Sequence, residues 1–330
     1  MKKTVITAAC CLILGAALSP AASAQELVVG GQAVGIQVGT DGVYVAGLSD
    51  VETAEGKSTP AADAGMKQGD MILKINGRDV KYASQLIETV AALEGKPAEL
   101  TVQRDNEILH IEIQPVQADE GRWMMGMWLR DGLSGIGTLT FCDPVSGVYG
   151  ALGHSISDGE SGKKLPLSGG KITDAEIVSV TKGRSGAPGE LNGCADLGKV
   201  LGSIEANTDH GIYGRAYASP GSRKIETGDI AAGDASIVST VIGREPREYK
   251  VEINRVYRDS KGEHAMLTVT DPELRASTGG IVQGMSGSPI LQNGRLVGAV
   301  THVFVNDPTR GYGVSIGDML RSAGIEEQAA

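Results

Sequence analysis

The stretch that is most informative about the fold lies in the first third of the chain and reads Gly69-Asp70-Met71-Ile72-Leu73-Lys74-Ile75-Asn76-Gly77. Apolar side chains alternate from Met71 to Ile75, which is typical of a strand with one buried face. Asn76-Gly77 is a strong signal for a tight hairpin turn. Residues 83–93 carry apolar side chains with the i, i+4, i+7 spacing of an amphipathic helix. The pattern predicts a small α+β unit.

Working outward, short β-like runs at 34–38 and 43–46 come before this stretch, with a polar loop predicted at 50–59. Runs at 100–102 and 108–113 follow it and predict a closing hairpin. We therefore assign residues 26–115 to one unit.

This unit resembles a PDZ domain of the bacterial protease type. The resemblance rests on the stretch from Gly69 to Gly77, on Ala61-Ala62-Asp63-Ala64-Gly65 before it, and on the helix after it. It implies that an extended peptide or a C-terminal ligand adds as a strand beside Val34, Gly35 and Ile36. The same three residues fit a purely buried strand equally well, so the position of the ligand stays open.

The rest of the chain predicts a mainly β protein. The whole chain of 330 residues contains 47 glycines but only two Phe and two Trp, a composition that favours many tight turns between short strands. From 123 to 330, short β runs alternate with Gly, Pro and Asp turns, which indicates an antiparallel sandwich or barrel. A short helix is expected at 318–323, and residues 116–122 form a polar linker.

Charge and cysteine content exclude several classes of function. The net charge of −10, without a Lys/Arg stripe, argues against nucleic-acid binding. Cys142 and Cys194 are too few for a disulfide framework, and whether they pair stays open. The chain has no CxxC and no HExxH motif, so we expect no metal and no other cofactor.

Residues 1–24 predict an export segment. Lys2 and Lys3 precede an apolar run, and Ala22-Ser23-Ala24 has the small-residue pattern of a cleavage site. We expect a cleaved signal peptide. An uncleaved segment that tethers the protein to the membrane is the alternative. Both place the body of the protein outside the cytoplasm.

The strongest chemical signal is Gln283-Gly284-Met285-Ser286-Gly287-Ser288-Pro289. A nucleophilic serine needs a tight turn and backbone N–H groups aimed at the oxyanion. Gly284 and Gly287 permit such a turn. The N–H groups of Gly284 and Ser286 are the expected oxyanion donors, although an ordinary glycine-rich turn has the same composition.

Among five histidines, His154 is the best candidate for a general base. It follows a predicted strand at 148–153 that ends in glycine, so the scaffold can hold the ring at an accessible strand end. His110 and His264 are expected at the surface, and His210 lies in a polar loop. For His302 a structural role is as reasonable as any other.

Together, Ala151-Leu152-Gly153-His154-Ser155-Ile156-Ser157-Asp158 and the serine motif resemble the peptidase family of stage IV sporulation protein B. The resemblance implies a PDZ domain followed by a chymotrypsin-like antiparallel β-barrel protease domain at 123–330. It also implies a triad of Ser286, His154 and Asp271. Asp271 precedes a proline and also fits a turn, so Asp158 and Asp174 stay open as alternative acids.

The resemblance further implies a regulatory serine endopeptidase that works in the space between the membranes of a developing spore. Its expected substrate is a membrane-associated regulator of an intramembrane protease, and self-cleavage near the N-terminus is expected too. A non-catalytic PDZ adaptor with a protease-like domain is the alternative. An esterase is disfavoured because a β segment, rather than a helix, is predicted after Ser286.

Overall fold

The computed structural model describes residues 25–105, 107–157, 162 and 164–325. The predicted export segment at 1–24 and the alternative acid Asp158 lie outside these residues. Within the described residues, no helix is both long and apolar enough to cross a bilayer.

The elements up to residue 124 are mostly short and follow the predicted order. They are β1 (Glu26–Val29), β2 (Ala33–Leu48), β3 (Val51–Thr53), β4 (Gly56–Ser58), α1 (Pro60–Asp63), β5 (Met71–Ile75), β6 (Arg78–Asp79), α2 (Ala83–Ala92), β7 (Ala98–Arg104), β8 (Glu107–Ile113), β9 (Val116–Gln117) and β10 (Trp123–Met124).

The elements after residue 124 are strands with two short helices. They are β11 (Met127–Cys142), β12 (Val148–Ala151), β13 (Gly169–Thr181), β14 (Glu190–Ile204), β15 (Ala206–Thr208), β16 (Gly211–Arg215), β17 (Lys224–Glu226), β18 (Gly233–Ser239), β19 (Arg247–Asp259), β20 (Gly262–Val269), α3 (Pro272–Thr278), β21 (Pro289–Gln292), β22 (Arg295–Phe304), β23 (Asp307–Ser315) and α4 (Ile316–Ser322).

The PDZ unit is built on the stretch that the sequence singles out. β5 pairs with the second half of β2 on one side and with β7 on the other, and β7 pairs with β8. Asn76 and Gly77 have φ of 48° and 75°, as a two-residue hairpin turn requires. α2 buries Leu86 and Val90 against the sheet. The predicted polar loop at 50–59 contains the short hairpin of β3 and β4.

β2 continues beyond the PDZ unit into the second half of the molecule. Its first half pairs with β11 on one edge and β13 on the other, and Val34 and Ile36 are buried. β1 pairs with β11 and β17. Residues 26–39, which the sequence groups with the PDZ unit, therefore build the protease sheet. The reason is that the apolar side chains of this strand are buried there, and both of its main-chain edges are hydrogen-bonded to neighbouring strands.

The second half of the molecule combines this antiparallel sheet with a closed barrel of six strands in the order β18-β19-β20-β23-β22-β21. Apolar side chains fill the barrel, among them Ile237, Val251 and Leu267. The predicted fold class, a mainly β chain with a PDZ domain and a barrel-containing protease domain, is confirmed. Cys142 is buried, Cys194 is exposed, and both are free thiols.

Candidate active site

The loop that carries Ser286 lies between α3 and β21 and packs against β11. Gly284 and Gly287 both have φ of 94°, a conformation that favours glycine. A Cβ atom on Gly287 would lie 2.1 Å from the carbonyl oxygen of Thr138 and 2.5 Å from the nitrogen of Leu152. Gly287 is therefore required by close backbone approach as well as by its own φ.

Hydrogen bonds hold the carbonyl groups of the three peptides that precede Ser286. Leu191 N–H donates to the Gln283 carbonyl at 2.9 Å, and Thr138 Oγ1 donates to the Gly284 carbonyl at 2.8 Å. The Met285 carbonyl accepts from both the N–H and the Oγ of Ser288, at 3.0 and 2.6 Å. Three consecutive peptide planes are thus fixed.

These bonds leave two N–H groups available. In a trans peptide the N–H points away from the carbonyl that precedes it, so the N–H groups of Gly284 and Ser286 point away from their held carbonyls. Within the described part of the chain neither N–H has an acceptor, whereas Met285 N–H donates to Val282 and Gly287 N–H to Val300. Gly284 and Ser286 both line a cavity of about 1010 Å³. Such an arrangement suits an oxyanion hole.

His154 lines the same cavity from the end of β12. Leu152 and Gly153 each have φ of 70°, and this unusual double turn directs the following residue toward the barrel. The His154 Nδ1 lies 2.8 Å from the Ser155 carbonyl oxygen. Because a carbonyl only accepts, Nδ1 carries the proton and Nε2 keeps its lone pair. Burial lowers the pKa of His154, which favours the neutral ring.

Ser286 and His154 share the cavity but are not hydrogen-bonded to each other. Ser286 Oγ donates instead to the Thr301 carbonyl, at 2.6 Å. A rotation about the Ser286 side-chain bond is needed to turn the hydroxyl toward the imidazole. The structure therefore has the serine in a resting orientation.

His302 is the residue that sequence reasoning missed. Its ring centroid lies 4.5 Å from that of His154, with 34° between the ring planes. Burial, and after it the neighbouring His154, lowers the pKa of His302 to about 4. His302 lies two residues before the end of β22, and no pattern in the neighbouring sequence indicates its contact with His154.

Two family profiles match the chain. SpoIVB peptidase S55 matches residues 121–320, and the PDZ domain matches residues 32–114. The chain belongs to the SpoIVB peptidase S55 family.

Curated relatives of this S55 peptidase match over short segments. The magnetosome formation protease MamE of Paramagnetospirillum magneticum is 32% identical over 102 residues, covering 31% of this chain and 12% of MamE. The regulator of sigma-W protease RasP of Bacillus subtilis is 36% identical over 67 residues, covering 20% of this chain and 16% of RasP. The match thus spans less than a fifth of either relative.

Among solved structures, the active form of the Rv3671c protease from M. tuberculosis is similar. It is 13% identical, the match covers 60% of this chain and 76% of that one, and the TM-score is 0.33.

In this S55 peptidase the structure does not bring the predicted acid Asp271 to His154. Asp271 is the N-cap of α3, and its Oδ1 accepts from the N–H groups of Glu273 and Leu274, both at 3.0 Å. Its Oδ2 accepts from Lys250 N–H at 3.2 Å. The Asp-Pro pair starts a helix here. This agrees with the alternative interpretation of the sequence, in which these two residues have a local structural role.

Two further carboxylates, the alternative acid Asp174 and the cavity residue Asp209, have partners of their own. The alternative acid Asp174 pairs with Lys199 and Arg244. Asp209 is the one carboxylate among the described residues that line the cavity, and it pairs with Lys164 at 3.1 Å. The hydrogen bond from Lys164 lowers the pKa of Asp209. The orienting partner of His154 is thus a backbone carbonyl in this structure.

Three other histidines are placed as follows. His110 is exposed beside Glu99, as predicted. His264 pairs with Asp259 but also lines the cavity, so it is less exposed than predicted. His210 lines the cavity and contacts Ser322 Oγ through Nδ1.

The predicted peptide-binding position at Val34, Gly35 and Ile36 is wrong for this structure. Both main-chain edges of these residues are already paired, with β11 and with β13, so no edge is open to a peptide. The terminal strand of the PDZ sheet is instead residues 127–130 of β11, which pair with β2 on one edge. Among the described strands none pairs with their other edge. α2 and β11 pack together beside it.

Proposed function

We propose that this protein is an exported serine endopeptidase in which Ser286 is the nucleophile, His154 the general base, and the N–H groups of Gly284 and Ser286 the oxyanion hole. The observation that carries the proposal is that the N–H groups of Gly284 and Ser286 have no acceptor among the described residues, on a loop whose carbonyls are all held. Membership of the S55 peptidase family supports it.

The reaction starts when Ser286 Oγ leaves the Thr301 carbonyl and turns to His154 Nε2. Nε2 takes the hydroxyl proton while Oγ attacks the peptide carbonyl carbon, and the resulting oxyanion accepts from the two N–H groups. The tetrahedral intermediate collapses when the C–N bond breaks and His154 gives its proton to the leaving amine. Water then attacks the acyl-enzyme by the same route and restores Ser286.

The Ser155 carbonyl has the orienting role in this mechanism. It accepts the Nδ1 proton at 2.8 Å, so it fixes the tautomer and stabilises the imidazolium as it forms. A carbonyl dipole does this less strongly than a carboxylate. We therefore expect a modest turnover rate, consistent with cleavage of few substrates.

The test is labelling with a fluorophosphonate probe together with hydrolysis of a casein or peptide substrate. The wild-type chain should be labelled, and Ser286→Ala and His154→Gln should each lose labelling and turnover by at least about 1,000-fold. His110→Gln is the matched control, because this exposed ring lies in the PDZ unit. Wild-type protein that is folded but shows no Ser286-dependent labelling would refute the proposal and favour the adaptor.

We further propose the setting and the partners. The family name supports a regulatory role in sporulation, and the N-terminal segment supports export into the space around a developing spore. The substrate in this proposal is a membrane-associated protein that regulates an intramembrane protease, and the chain also cleaves itself near its N-terminus. Mixing wild-type protein with Ser286→Ala protein checks self-cleavage, since the inactive chain should be shortened only by the active one.

A further inference from the structure

β11 contacts the nucleophile loop through two buried residues, Thr140 at Gly287 and Thr138 at Gly284 and Ser286. Thr138 is the one beside the expected oxyanion donors. Its Oγ1 donates to the Gly284 carbonyl at 2.8 Å, and its N–H donates to the Ser286 carbonyl at 3.0 Å. Its own carbonyl accepts from Leu152 N–H at 3.3 Å, two residues before His154. Thr138 therefore contacts both arms of the site, and its side chain is buried.

The bond from Thr138 Oγ1 differs from the bonds that hold the other two peptide carbonyls before Ser286. The Gln283 carbonyl is held by a backbone N–H, and the Met285 carbonyl by Ser288, which belongs to the same turn. The Gly284 carbonyl is held by a side chain from a strand 146 residues away in sequence. Only a hydroxyl at this position donates to it.

The Gly284–Met285 peptide is the plane that joins the two oxyanion donors. If it flips, the Gly284 carbonyl turns away from Thr138 toward the side that the two N–H groups face, where its oxygen would repel the oxyanion. Gly284 has no Cβ to resist such a rotation, so the barrier has to come from the partners of the plane. Those partners are Thr138 Oγ1 for the carbonyl and the Val282 carbonyl for Met285 N–H.

We propose that Thr138 is a positioning residue for the oxyanion hole. Its hydroxyl holds the Gly284–Met285 peptide in the orientation that keeps the Gly284 carbonyl out of the space between the Gly284 and Ser286 N–H groups. This inference rests on the proposed function, because it assigns the hydroxyl a role in the same hydrolysis. Thr138 does not line the cavity, so it acts through the loop and not on the substrate.

The experiment compares Thr138→Val, Thr138→Ala and Thr138→Ser in the full chain. Val and Ala remove the donor, and Ala also avoids placing a methyl group against the Gly284 carbonyl. We expect both to lower kcat by about 10- to 100-fold, less than direct loss of an oxyanion donor, with KM within about two-fold of wild type. The affinity for a peptide boronate, which mimics the tetrahedral intermediate, should fall with kcat/KM. Ser should restore kcat to within about three-fold.

The matched control is Thr240→Val. Thr240 is equally buried, and its Oγ1 donates to the Gly31 carbonyl at 3.0 Å, away from the residues that line the cavity. Thr240→Val should lower Tm as Thr138→Val does but leave kcat unchanged. If Thr138→Val and Thr138→Ala lose no more kcat than this control, or keep full affinity for the boronate, the inference is overturned. If wild-type turnover does not depend on Ser286, the proposed function fails first and this inference fails with it.

Discussion

At the scale of single residues, the site is organised by backbone carbonyls more than by charged side chains. The Ser155 carbonyl orients His154, and the Thr301 carbonyl accepts from Ser286 Oγ. The carbonyls of the nucleophile loop are hydrogen-bonded, whereas the N–H groups of Gly284 and Ser286 have no acceptor in the described part of the chain. A carbonyl partner carries no net charge, so the imidazolium that forms during the reaction is stabilised at Nδ1 by a dipole and not by a carboxylate.

Asp271 separates two roles that the sequence allows. As the N-cap of α3, it is replaced well by Asn, which keeps the acceptor for Glu273 and Leu274 N–H. We expect Asp271→Asn to retain kcat within about three-fold and Tm within about 2 °C, and Asp271→Ala to lose about 1 kcal/mol of unfolding free energy. Urea unfolding and steady-state kinetics check this. A fall of about 10,000-fold in kcat for Asp271→Asn would instead make Asp271 the triad acid.

The lowered pKa of His154 predicts the acid limb of the pH profile. The base must be neutral, and burial favours the neutral ring, so kcat/KM should rise with pH with a midpoint below 6.5. The unfolded chain binds a proton at His154 below pH 6.5 that the folded chain does not. The unfolding free energy should therefore decrease as pH falls through the same range.

The measurement is kcat/KM from pH 4.5 to 8, with urea unfolding at the same pH values. His110→Gln should leave the midpoint unchanged, because His110 is exposed in the PDZ unit and is not among the residues that line the cavity. A midpoint at or above pH 7 would contradict the assignment of a buried, neutral base.

At the scale of elements, β11 has two functions in the molecule. Residues 127–130 form the outer strand of the PDZ sheet, while Thr138 and Thr140 hold the nucleophile loop at Gly284 and Gly287. One strand thus joins the outer edge of the PDZ sheet to the loop that carries Ser286.

Local sequence patterns predicted most individual elements correctly. β5, α2 and the hairpin of β7 and β8 match the expected positions, because alternation, helical spacing and Asn-Gly turns are properties of neighbouring residues. The same local signals failed for β2. Its apolar run is equally suited to either unit, and pairing with β11 and β13 involves strands about 100 residues or more away.

At the scale of the whole molecule, the PDZ unit is an insertion into the protease half. Gly39 of β2 and Gly132 of β11 are paired residues, so the chain leaves the protease sheet at one and returns at the other. A piece that begins at residue 123 lacks both β1 and β2. It therefore leaves β11 and β13 without the strand that lies between them.

We accordingly expect residues 123–325 alone to lack a cooperative thermal transition by circular dichroism. Residues 25–325 with 40–131 replaced by a short Gly-rich turn should retain one, because a tight turn joins neighbouring antiparallel strands without changing their pairing. Equal folding of the two variants would contradict the insertion and favour two units joined by a linker.

Local patterns were enough to predict the PDZ unit, the mainly β protease half, and the two motifs around His154 and Ser286, because adjacent residues carry each of these signals. Long-range packing was needed to show that Val34 and Ile36 belong to the protease sheet, that Asp271 caps a helix, and that His302 packs on His154. These features depend on which distant strands become neighbours. That choice follows from the burial and hydrogen bonding of the whole chain, which no local pattern records.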